Sequence, residues 1–451
     1  MSKIQVVWFR DLSLWDFKSN GFNSSNELFK SKYPLVKISE FLKRNKTQTI
    51  IKDEILYMRV TISGKASFNG AMVRDKVYGK NIGIKKQYKI KEGQFLVSKI
   101  GAGDGAFGIA TNELNEAIIT SDFWAFDYNQ ARINLYFLLF VVKTKKFISF
   151  ARASSSGTAL KRMNENKFLG AKIPLPPLEI QNKIVADIHA IQTKIKALQV
   201  EEKRLKDEIE AYIYITLGLQ KPQSVQKQKV FVVRFKNLER WDIVYNQNAY
   251  SQTSTNAKLD KYHLQELCDI NPSVDMKELI RQDKNVSFIP MERLETDGKS
   301  FAPLLKKASL HKGFTKFQND DLLWAKITPC MQNKKSVVVN RLENGIGFGS
   351  TEFFVLRSKD SNQTDIHFIL QILRTDLVIE QATLHFKGSA GQQRVPKEFL
   401  ENLQIPLPPL QIQKEMVENI EQKTSQISKM SQEQIALQNS IESKLQEILR
   451  N

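Results

Sequence analysis

The stretch Ile173-Pro-Leu-Pro-Pro-Leu178 decides how this chain is built, and nearly the same stretch returns as Ile405-Pro-Leu-Pro-Pro-Leu410. Proline fixes its own φ angle and has no amide proton, so these residues cannot occupy a helix interior or the centre of a sheet. Each stretch, called a proline knot below, is therefore predicted to be an extended, stiff lead-in after which a helix can start.

A heptad pattern of apolar residues follows each knot. The apolar side chains alternate three and four residues apart, which is typical of a coiled-coil stripe. Adding 232, the separation of Pro174 and Pro406, carries five residues of the first stripe onto five of the second. These positions, the helix seam, are Ile188, Ile195, Leu198, Leu205, Ile209, Ile420, Ile427, Met430, Leu437 and Ile441. One stripe alone would indicate an ordinary amphipathic helix, but two copies in register favour a coiled coil.

The duplication covers the whole chain. Trp15-Asp16 near the start corresponds to Trp241-Asp242, 226 residues later. Since the knots are 232 residues apart, the second half has gained six residues, which surface loops tolerate. Two polar seam positions also correspond, Glu202 and Gln434, whereas Ile191 maps onto Lys423 and leaves the pattern.

Composition excludes several classes of protein. The 451 residues allow roughly three domains, and a hydrophobic content of 41% is enough for buried cores. Cys268 and Cys330 are far apart, so neither a disulfide framework nor a zinc site is indicated, and a reducing cytoplasm fits best. The start has no signal peptide pattern. The longest apolar run, Leu135–Val142, is too short for a bilayer and predicts a buried core element, so we expect no membrane span.

Positive charge is concentrated in the first half. The net charge is +19, and residues 1–177 contain 29 Lys and Arg against 14 Asp and Glu, a balance of +15. Such a balance suggests a polyanionic partner, with nucleic acid first and an anionic membrane surface second. A merely solubilising, lysine-rich surface is the alternative.

Both halves show the same order of local patterns. Short strands flank a loop in each half, and an apolar helical stretch and then a polar loop follow. The flanking strand segments are Gly93–Ile100, Ala117–Phe126, Asp321–Ile327 and Gly349–Leu356. The helical stretches are Leu135–Phe150 and Ile366–Leu384, and the polar loops are Ser154–Met163 and Lys387–Val395.

The sequence contains no catalytic constellation. A phosphate-binding Gly-x-x-x-x-Gly-Lys-Ser/Thr loop and the Asn-Pro-Pro-Tyr of amino-methyltransferases are both missing. The glycine-rich segment Gly101–Gly108 lacks the strand-to-helix context of a nucleotide cradle. The five histidines are scattered. We therefore expect no catalytic residue, no metal site and no cofactor bound by this chain.

The loops do carry side chains suited to DNA. Lysine and arginine neutralise phosphates, amides form paired hydrogen bonds with base edges, and glycine allows close backbone approach. Any one such lysine is more often simply a surface residue. The candidate DNA-binding residues are Lys99, Gly101, Asp104, Ser154, Ser155, Lys161, Arg162, Asn164, Lys326, Thr328, Gln332, Asn333, Lys335, Gln392, Gln393 and Arg394.

Two divergent globular halves, each followed by Pro-Leu-Pro-Pro-Leu-x-x-Gln and a long helix, resemble the specificity subunit of type I DNA restriction–modification enzymes. The motif ends here in Gln181 and Gln413. Related fused or two-part restriction–modification proteins carry the same module. The resemblance implies an α+β fold, in which two pseudo-symmetric α/β target recognition domains are joined by two long helices that form an antiparallel coiled coil. The implied segments are recognition domains at 1–177 and 221–409 and helices at 178–220 and 410–451.

The resemblance also implies partners. Each recognition domain would read one half of a split, asymmetric target in the major groove of double-stranded DNA, and the helices would set the separation. Two modification subunits would dock and carry S-adenosylmethionine and the adenine-flipping chemistry, and restriction subunits with ATP and Mg would join for cleavage. This chain would itself be non-catalytic. The alternative is a stand-alone coiled-coil scaffold that tethers two binding lobes and associates with itself, whereas a closed intramolecular helix pair predicts a monomer until modification subunits are added.

Overall fold

The computed structural model describes residues 28–64, 69–158, 160–219, 259–389 and 391–449. The repeated openings at Trp15 and Trp241 and the predicted boundary at 220/221 lie outside these ranges. The chain forms two compact units: the first lobe comprises the residues up to Ala197 and those from Gln434 onward, and the second lobe runs from Leu198 to Glu433. The boundaries between the two units lie inside the long helices, so each helix contributes one part to each lobe. The predicted segments instead divide the chain where the helices begin.

The first lobe is built on a four-stranded antiparallel sheet whose strand order is Leu42–Asn45, Phe123–Tyr128, Phe95–Ser98 and Phe107–Ile109. A second sheet has the order Gln48–Ile50, Lys86–Lys89, Ile118–Ile119, Leu56–Ile62 and Ala71–Tyr78. Two-stranded pairs join Leu35–Lys37 to Lys172–Pro174 and Ser155–Ser156 to Arg162–Met163. The α-helices that begin in this lobe are Leu135–Val142, Lys145–Ala153, Glu165–Gly170 and Leu178–Leu217.

The second lobe repeats the four-stranded antiparallel sheet, with the order Cys268–Ile270, Phe353–Ser358, Leu322–Ala325 and Ser336–Val338. Its second sheet has the order Leu304–Lys307, Asn285–Ile289, Ile346–Gly349 and Thr315–Gln318, and Lys261–His263 pairs with Gln404–Pro406. The α-helices are Leu264–Leu267, Lys277–Arg281, Ile366–Leu373, Asp376–Leu384, Lys397–Asn402 and Leu410–Leu449.

Each predicted apolar helical stretch is broken into two helices. The expectation of one helix over Leu135–Phe150 and one over Ile366–Leu384 was wrong, because a threonine starts a new helix in the middle of each. The Thr144 Oγ1 accepts a hydrogen bond from the Phe147 amide, and the Thr375 Oγ1 accepts one from the Val378 amide, both at 3.4 Å. These side chains satisfy amides that a helix start leaves unpaired.

The apolar run Leu135–Val142 forms a helix in which seven of eight residues are buried, as expected for a core element. The core of the first lobe continues into a cluster of aromatic rings. Phe168 is fully buried, and its ring lies 5.5 Å from Phe126 and 6.1 Å from Trp124 between ring centroids. Phe168 lies five residues after the polar loop, on the helix Glu165–Gly170, so the chain returns to the core soon after the loop.

The proline knots are extended, as the proline pattern predicts. In each lobe the first proline of the knot is the last residue of a short edge strand, Lys172–Pro174 or Gln404–Pro406. The long helices then begin at Leu178 and Leu410. Proline is tolerated here because it ends the strand at an edge, where no ladder amide is required.

The glutamine that closes each knot motif is a buried clamp. The Gln181 Nε2 donates to the carbonyl oxygens of Pro176 (2.8 Å) and Arg132 (3.0 Å), while its Oε1 accepts from the Asn134 amide (2.9 Å). Asn134 caps the helix Leu135–Val142. One side chain thus joins the knot to the loop that begins the core helix.

The same clamp recurs in the second lobe. The Gln413 Nε2 donates to the carbonyl oxygens of Pro408 (2.8 Å) and Gln363 (2.9 Å), and its Oε1 accepts from the Asp365 amide (2.9 Å). Both glutamines are fully buried. The repeated glutamine of the motif is therefore explained by three hydrogen bonds that water cannot replace.

Replacing Gln413 by leucine is expected to lower the free energy of unfolding by about 3 kcal/mol, because a buried amide and two carbonyl groups lose their partner. Gln411→Leu is the matched control, since Gln411 is exposed on the same helix and its side-chain amide donates to the Glu415 carboxylate at 2.9 Å. Chemical denaturation of both variants measures the difference. Equal stability of the two variants would show that the clamp contributes little.

The long helices run antiparallel. In the first lobe the Lys444 Nζ lies 2.8 Å from the Asp187 carboxylate, and in the second lobe the Lys423 Nζ lies 2.8 Å from the Glu208 carboxylate. From the first ion pair to the second, the residue number rises by 21 on one helix (187 to 208) and falls by 21 on the other (444 to 423). The two ion pairs are therefore three heptads apart on both helices. Lys423, the position that left the apolar pattern, therefore forms an ion pair between the helices.

All ten seam residues are buried or half-buried, and Ile188, Leu205 and Ile420 are the most enclosed. The fold class is confirmed: the chain is α+β, with two sheet-rich lobes whose four-stranded main sheets match in topology, and two long helices.

Candidate nucleic-acid interface

A lysine and a carboxylate emerge together at one end of the main sheet of the first lobe. Ser98 and Phe123 lie opposite each other on adjacent antiparallel strands, so the next residue outward on each strand is Lys99 or Asp122. The Lys99 amide donates to the Asp122 carbonyl oxygen at 2.9 Å. The Lys99 Nζ lies 5.5 Å from the centroid of the Trp124 ring, within the range of a cation–π interaction.

The polar loop joins this strand end. Its short hairpin pairs Ser155–Ser156 with Arg162–Met163, and the Met163 amide donates to the Lys99 carbonyl oxygen at 3.0 Å. The Arg162 guanidinium binds the Asp122 carboxylate through two atoms, with Nε–Oδ1 at 2.8 Å and Nη2–Oδ2 at 3.3 Å. The predicted loop residue Arg162 and the predicted strand-end residue Lys99 are thus brought together.

The second lobe repeats the arrangement. Ala325 and Phe353 lie opposite each other, and Lys326 and Glu352 follow them outward. The Lys326 amide donates to the Glu352 carbonyl oxygen at 2.9 Å, and its Nζ lies 5.2 Å from the centroid of the Phe354 ring.

The loop of the second lobe also docks in the same way. The Val395 amide donates to the Lys326 carbonyl oxygen at 2.9 Å. Arg394 binds the Glu352 carboxylate through Nε (2.9 Å to Oε2) and Nη2 (2.8 Å to Oε1), and its Nη1 donates to the Gln392 carbonyl oxygen at 2.7 Å.

Each lobe therefore holds one set of a lysine, a carboxylate, an aromatic ring and an arginine, which we call the quartet. The quartets are Lys99, Asp122, Trp124 and Arg162 in the first lobe, and Lys326, Glu352, Phe354 and Arg394 in the second. The carboxylates and rings were not among the predicted residues. The sequence did contain a signal for the carboxylates, because Asp122 and Glu352 directly precede the corresponding strands Phe123–Tyr128 and Phe353–Ser358.

Electrostatics in the quartets favour the charged forms of the arginine and of the carboxylate bound to it. The hydrogen bond from Arg162 holds the pKa of Asp122 below its ordinary value, and the hydrogen bond with Glu352 raises the pKa of Arg394. Burial, followed by the nearby charge of Arg44, lowers the pKa of Lys99. Each arginine is consequently a fixed positive charge with a bound carboxylate beside it.

The remaining candidates of the first lobe mostly serve the local fold. Ser154 is buried, and its carbonyl oxygen accepts from the Asn164 amide at 3.3 Å, so its hydroxyl does not lie on the surface. The Ser155 hydroxyl donates to the Ala151 carbonyl oxygen at 2.8 Å. The Asn164 side chain caps the helix Glu165–Gly170. Lys161 is exposed on the hairpin.

The glycine-rich loop has a packing explanation. A Cβ at Gly101 would lie 2.7 Å from the Cβ of Ala106, so any larger residue would force the loop apart. Asp104 is exposed and lies 3.2 Å from Arg152. Its negative charge makes it a weaker candidate for contact with phosphates than the lysines.

In the second lobe several candidates bind one another. The Thr328 hydroxyl donates to the Gln332 Oε1 at 2.6 Å, and the Thr328 amide donates to the Gln393 carbonyl oxygen at 2.9 Å. The Lys335 Nζ donates to the Met291 carbonyl oxygen at 2.9 Å, so that lysine supports the fold. Asn333 and Gln392 are exposed and remain predicted DNA contacts.

Neither a metal cluster nor a membrane span is found among the described residues. Within those ranges, no group of three or more His, Cys, Asp or Glu side chains is placed to hold a metal ion. No helix in the same ranges combines the length and apolar character that crossing a bilayer requires.

The chain resembles several known proteins. It is 35% identical over 174 residues to the type I restriction enzyme EcoAI specificity subunit of Escherichia coli, an alignment that covers 38% of this chain and 29% of that subunit. The related EcoEI specificity subunit is 36% identical over 148 residues, and 24% of its length is covered. The chain thus matches less than a third of either E. coli subunit.

Longer but weaker similarity extends over most of the chain. The type I restriction enzyme MjaVIII specificity subunit of Methanocaldococcus jannaschii is 23% identical over 402 residues, which cover 86% of this chain and 85% of that protein. A solved structure described as "Structural basis underlying complex assembly and conformational transition of the type I R-M system" has a TM-score of 0.50 and 16% identity, with 94% of this chain and 99% of the other covered. At this identity the likeness concerns the fold.

The family model of the type I restriction modification DNA specificity domain, Methylase_S, matches residues 18–211 and again residues 256–439. The two matches contain one quartet and one knot each, and together they span most of the chain. The chain therefore belongs to the family of type I restriction modification DNA specificity domains and carries two copies of that domain.

Proposed function

We propose that this chain is the non-catalytic DNA-recognition subunit of a type I restriction–modification complex, and that each lobe reads one half of a bipartite, asymmetric target. The observation that carries the proposal is the quartet, which recurs at the same sheet end in two lobes of divergent sequence. A split target requires two lobes, each with one surface that reads one half of the target.

The quartets have the properties of a DNA-contacting surface. Arg162 and Arg394 expose 45% and 42% of their side chains, so both guanidinium groups reach the solvent. The hairpins that carry them are held to a sheet by backbone hydrogen bonds, and rigid elements position base-reading side chains better than free loops do. Lysine and arginine supply the phosphate contacts, and the exposed amides supply base-edge contacts.

The proposed partners follow from family membership. Two modification subunits would bind the long helices and the lobes, and they would carry S-adenosylmethionine and the methyl transfer to adenine. Restriction subunits with ATP and Mg would complete the cleaving complex. The chain would act in the cytoplasm, where the DNA is.

Reconstitution tests this function. The chain, purified with modification subunits from the same genome, is expected to direct methylation to one bipartite sequence, whereas the modification subunits alone are expected to show no such choice. Sedimentation supplies a second measurement, since the isolated chain should be a monomer. Stable self-association without any sequence-directed methylation would favour the tethering scaffold instead.

Replacing Arg394 by alanine is expected to weaken specific DNA binding of the assembled complex by about 1–3 kcal/mol, as for the loss of a guanine contact. Arg281→Ala is the matched control, because Arg281 is an exposed arginine on the helix Lys277–Arg281 and is paired with Glu278. Filter binding to target and non-target DNA measures both variants. Unchanged affinity and unchanged target choice in Arg394→Ala would rule the assignment out.

A further inference from the structure

The carboxylates of the quartets bind one particular edge of their arginines. Asp122 binds Nε and Nη2 of Arg162, and Glu352 binds the same two atoms of Arg394. This side-on pairing leaves the outer edge of the guanidinium, formed by Nη1 and Nη2, directed away from the carboxylate. In Arg394 one N–H of Nη1 is donated to the Gln392 carbonyl oxygen at 2.7 Å, and the second N–H of Nη1 is left for an acceptor. A guanidinium has five N–H donors in a planar fork, so a second paired acceptor can be bound at that outer edge.

Guanine supplies an acceptor pair of the right kind. Its N7 and O6 lie side by side in the major groove, and a guanidinium fork binds both at once. A phosphate also accepts two hydrogen bonds from arginine, but phosphates occur at every step of the duplex and carry no sequence information. An arginine that rotates freely can therefore bind DNA without reading it.

A carboxylate beside the arginine changes this balance. Its two hydrogen bonds hold the guanidinium plane in one orientation, and its negative charge repels a phosphate that approaches the same edge. The Glu352 side chain is 23% exposed and the Asp122 side chain 34%, so both charges lie at the surface where DNA would approach.

Holding the loop in place does not require the ion pair. In the second lobe the Thr328 amide donates to the Gln393 carbonyl oxygen of the hairpin, and the Val395 amide at the end of the hairpin donates to the Lys326 carbonyl oxygen. Within the hairpin, Lys387 and Arg394 exchange two backbone hydrogen bonds at 2.9 Å each. The hairpin of the first lobe has its own two-stranded pairing and the bond from Met163 to Lys99. The backbone of each hairpin is therefore held by hydrogen bonds other than those of the carboxylates.

We propose that Asp122 and Glu352 are positioning residues for specificity: each holds the guanidinium of its arginine side-on, so that the outer fork reads a guanine in the half-site of that lobe. The inference rests on the proposed function and adds a base type and two residues to it. Each half-site then contains a guanine that depends on one carboxylate.

The test uses the full chain assembled with its modification subunits, in parent form and with Glu352→Gln. Glutamine keeps the size of the side chain but removes its charge and one acceptor oxygen. Discrimination of the target against DNA with one guanine of the second-lobe half-site replaced by 7-deazaguanine, which lacks N7, is expected to fall roughly tenfold. Discrimination at the other half-site should stay unchanged, which makes it an internal control.

Glu398→Gln is the matched charge control. Glu398 lies 3.8 Å from Lys387 of the same hairpin, whereas the carboxylate bound to Arg394 is that of Glu352. Glu398→Gln therefore removes a charge of the same sign from the same region. Both variants should bind non-target DNA somewhat more tightly and with a steeper salt dependence, but only Glu352→Gln should lose discrimination. Asp122→Asn is expected to give the mirror result, with loss at the first-lobe half-site alone.

A double variant separates positioning from a structural role. If Glu352 acts through Arg394, then adding Glu352→Gln to Arg394→Ala should change discrimination less than about twofold. Losses that add in full, equal loss at both half-sites, or failure of both carboxylate variants to assemble would overturn the inference. A parent complex without sequence-directed methylation would instead overturn the proposed function.

Discussion

Insertion of one heptad after Leu198 together with one after Met430 is expected to lengthen the unspecified gap between the two half-sites by about three base pairs. The seam repeats every seven residues, so a whole heptad keeps its apolar face in register. Seven residues at roughly 1.5 Å each lengthen a helix by about 10 Å. Base pairs stack about 3.4 Å apart along B-DNA, so the added length matches roughly three of them.

Both helices must be lengthened because they are antiparallel. The ion pairs of Asp187 with Lys444 and of Glu208 with Lys423 show equal advance along the two helices, and an insertion in one alone would shift one pair relative to the other. A single insertion after Leu198 is therefore the control for register, and it should impair assembly. Leu198 and Met430 are related by the 232-residue repeat, so the double insertion preserves the pseudo-symmetry.

Methylation mapping on targets with random spacers measures the outcome. The half-sites should be unchanged, since neither quartet is altered, and some affinity should be lost because three base pairs rotate one groove by about a third of a turn. A changed half-site, or an unchanged gap in a complex that still methylates, would show that the helices do not set the spacing.

Residues 1–220 alone are expected to form a two-fold dimer that reads a palindrome. In the whole chain the core of the first lobe includes apolar residues from the end of the second long helix, among them Ile441, Leu445 and Leu449. The 232-residue shift relates these to Ile209, Ile213 and Leu217, which are apolar as well. A second copy of the half-chain can therefore supply the missing side of the core.

Sedimentation of the half-chain, followed by methylation mapping with modification subunits, tests this expectation. In the half-chain dimer, position 208 of each copy would face Ile191 of the other copy instead of Lys423, so Glu208 would have no ion pair there to lose. The variant Glu208→Lys should therefore dimerise nearly as well as the parent half-chain. A charged residue at the buried position of Leu217 should prevent dimerisation. A monomeric half-chain without DNA specificity would contradict the prediction.

Local sequence was enough to predict the helices and the duplication. The knots could be recognised because proline excludes regular structure whatever its surroundings, and the seam because helix periodicity is a property of neighbouring residues. The internal repeat gave each pattern an independent second copy. The positions of the helix starts, Leu178 and Leu410, follow directly from the knots.

The sequence was less informative about the break within an apolar helical stretch and about the partners of a buried side chain. The apolar stretch after Asn134 has uniform hydrophobicity through Val142, and the break at Thr144 depends on a hydroxyl that can either continue a helix or cap a new one. In the structure the Thr144 hydroxyl caps the new helix, Lys145–Ala153. The role of Gln181 likewise needed the fold, because its partner Arg132 lies 49 residues away.

The sequence by itself determined that the chain contains two related halves, each with a globular part, a knot and a long helix, and it predicted DNA-binding residues in the polar loops. Only the tertiary structure decided which loop residues stand together. Arg162 meets Asp122 across 40 residues and Arg394 meets Glu352 across 42, and Ser154 is buried whereas Ala153 and Ser155 beside it are half-buried. The physical reason is that an ion pair and a buried hydroxyl depend on strand pairing between distant segments, and no pattern among adjacent residues encodes that pairing.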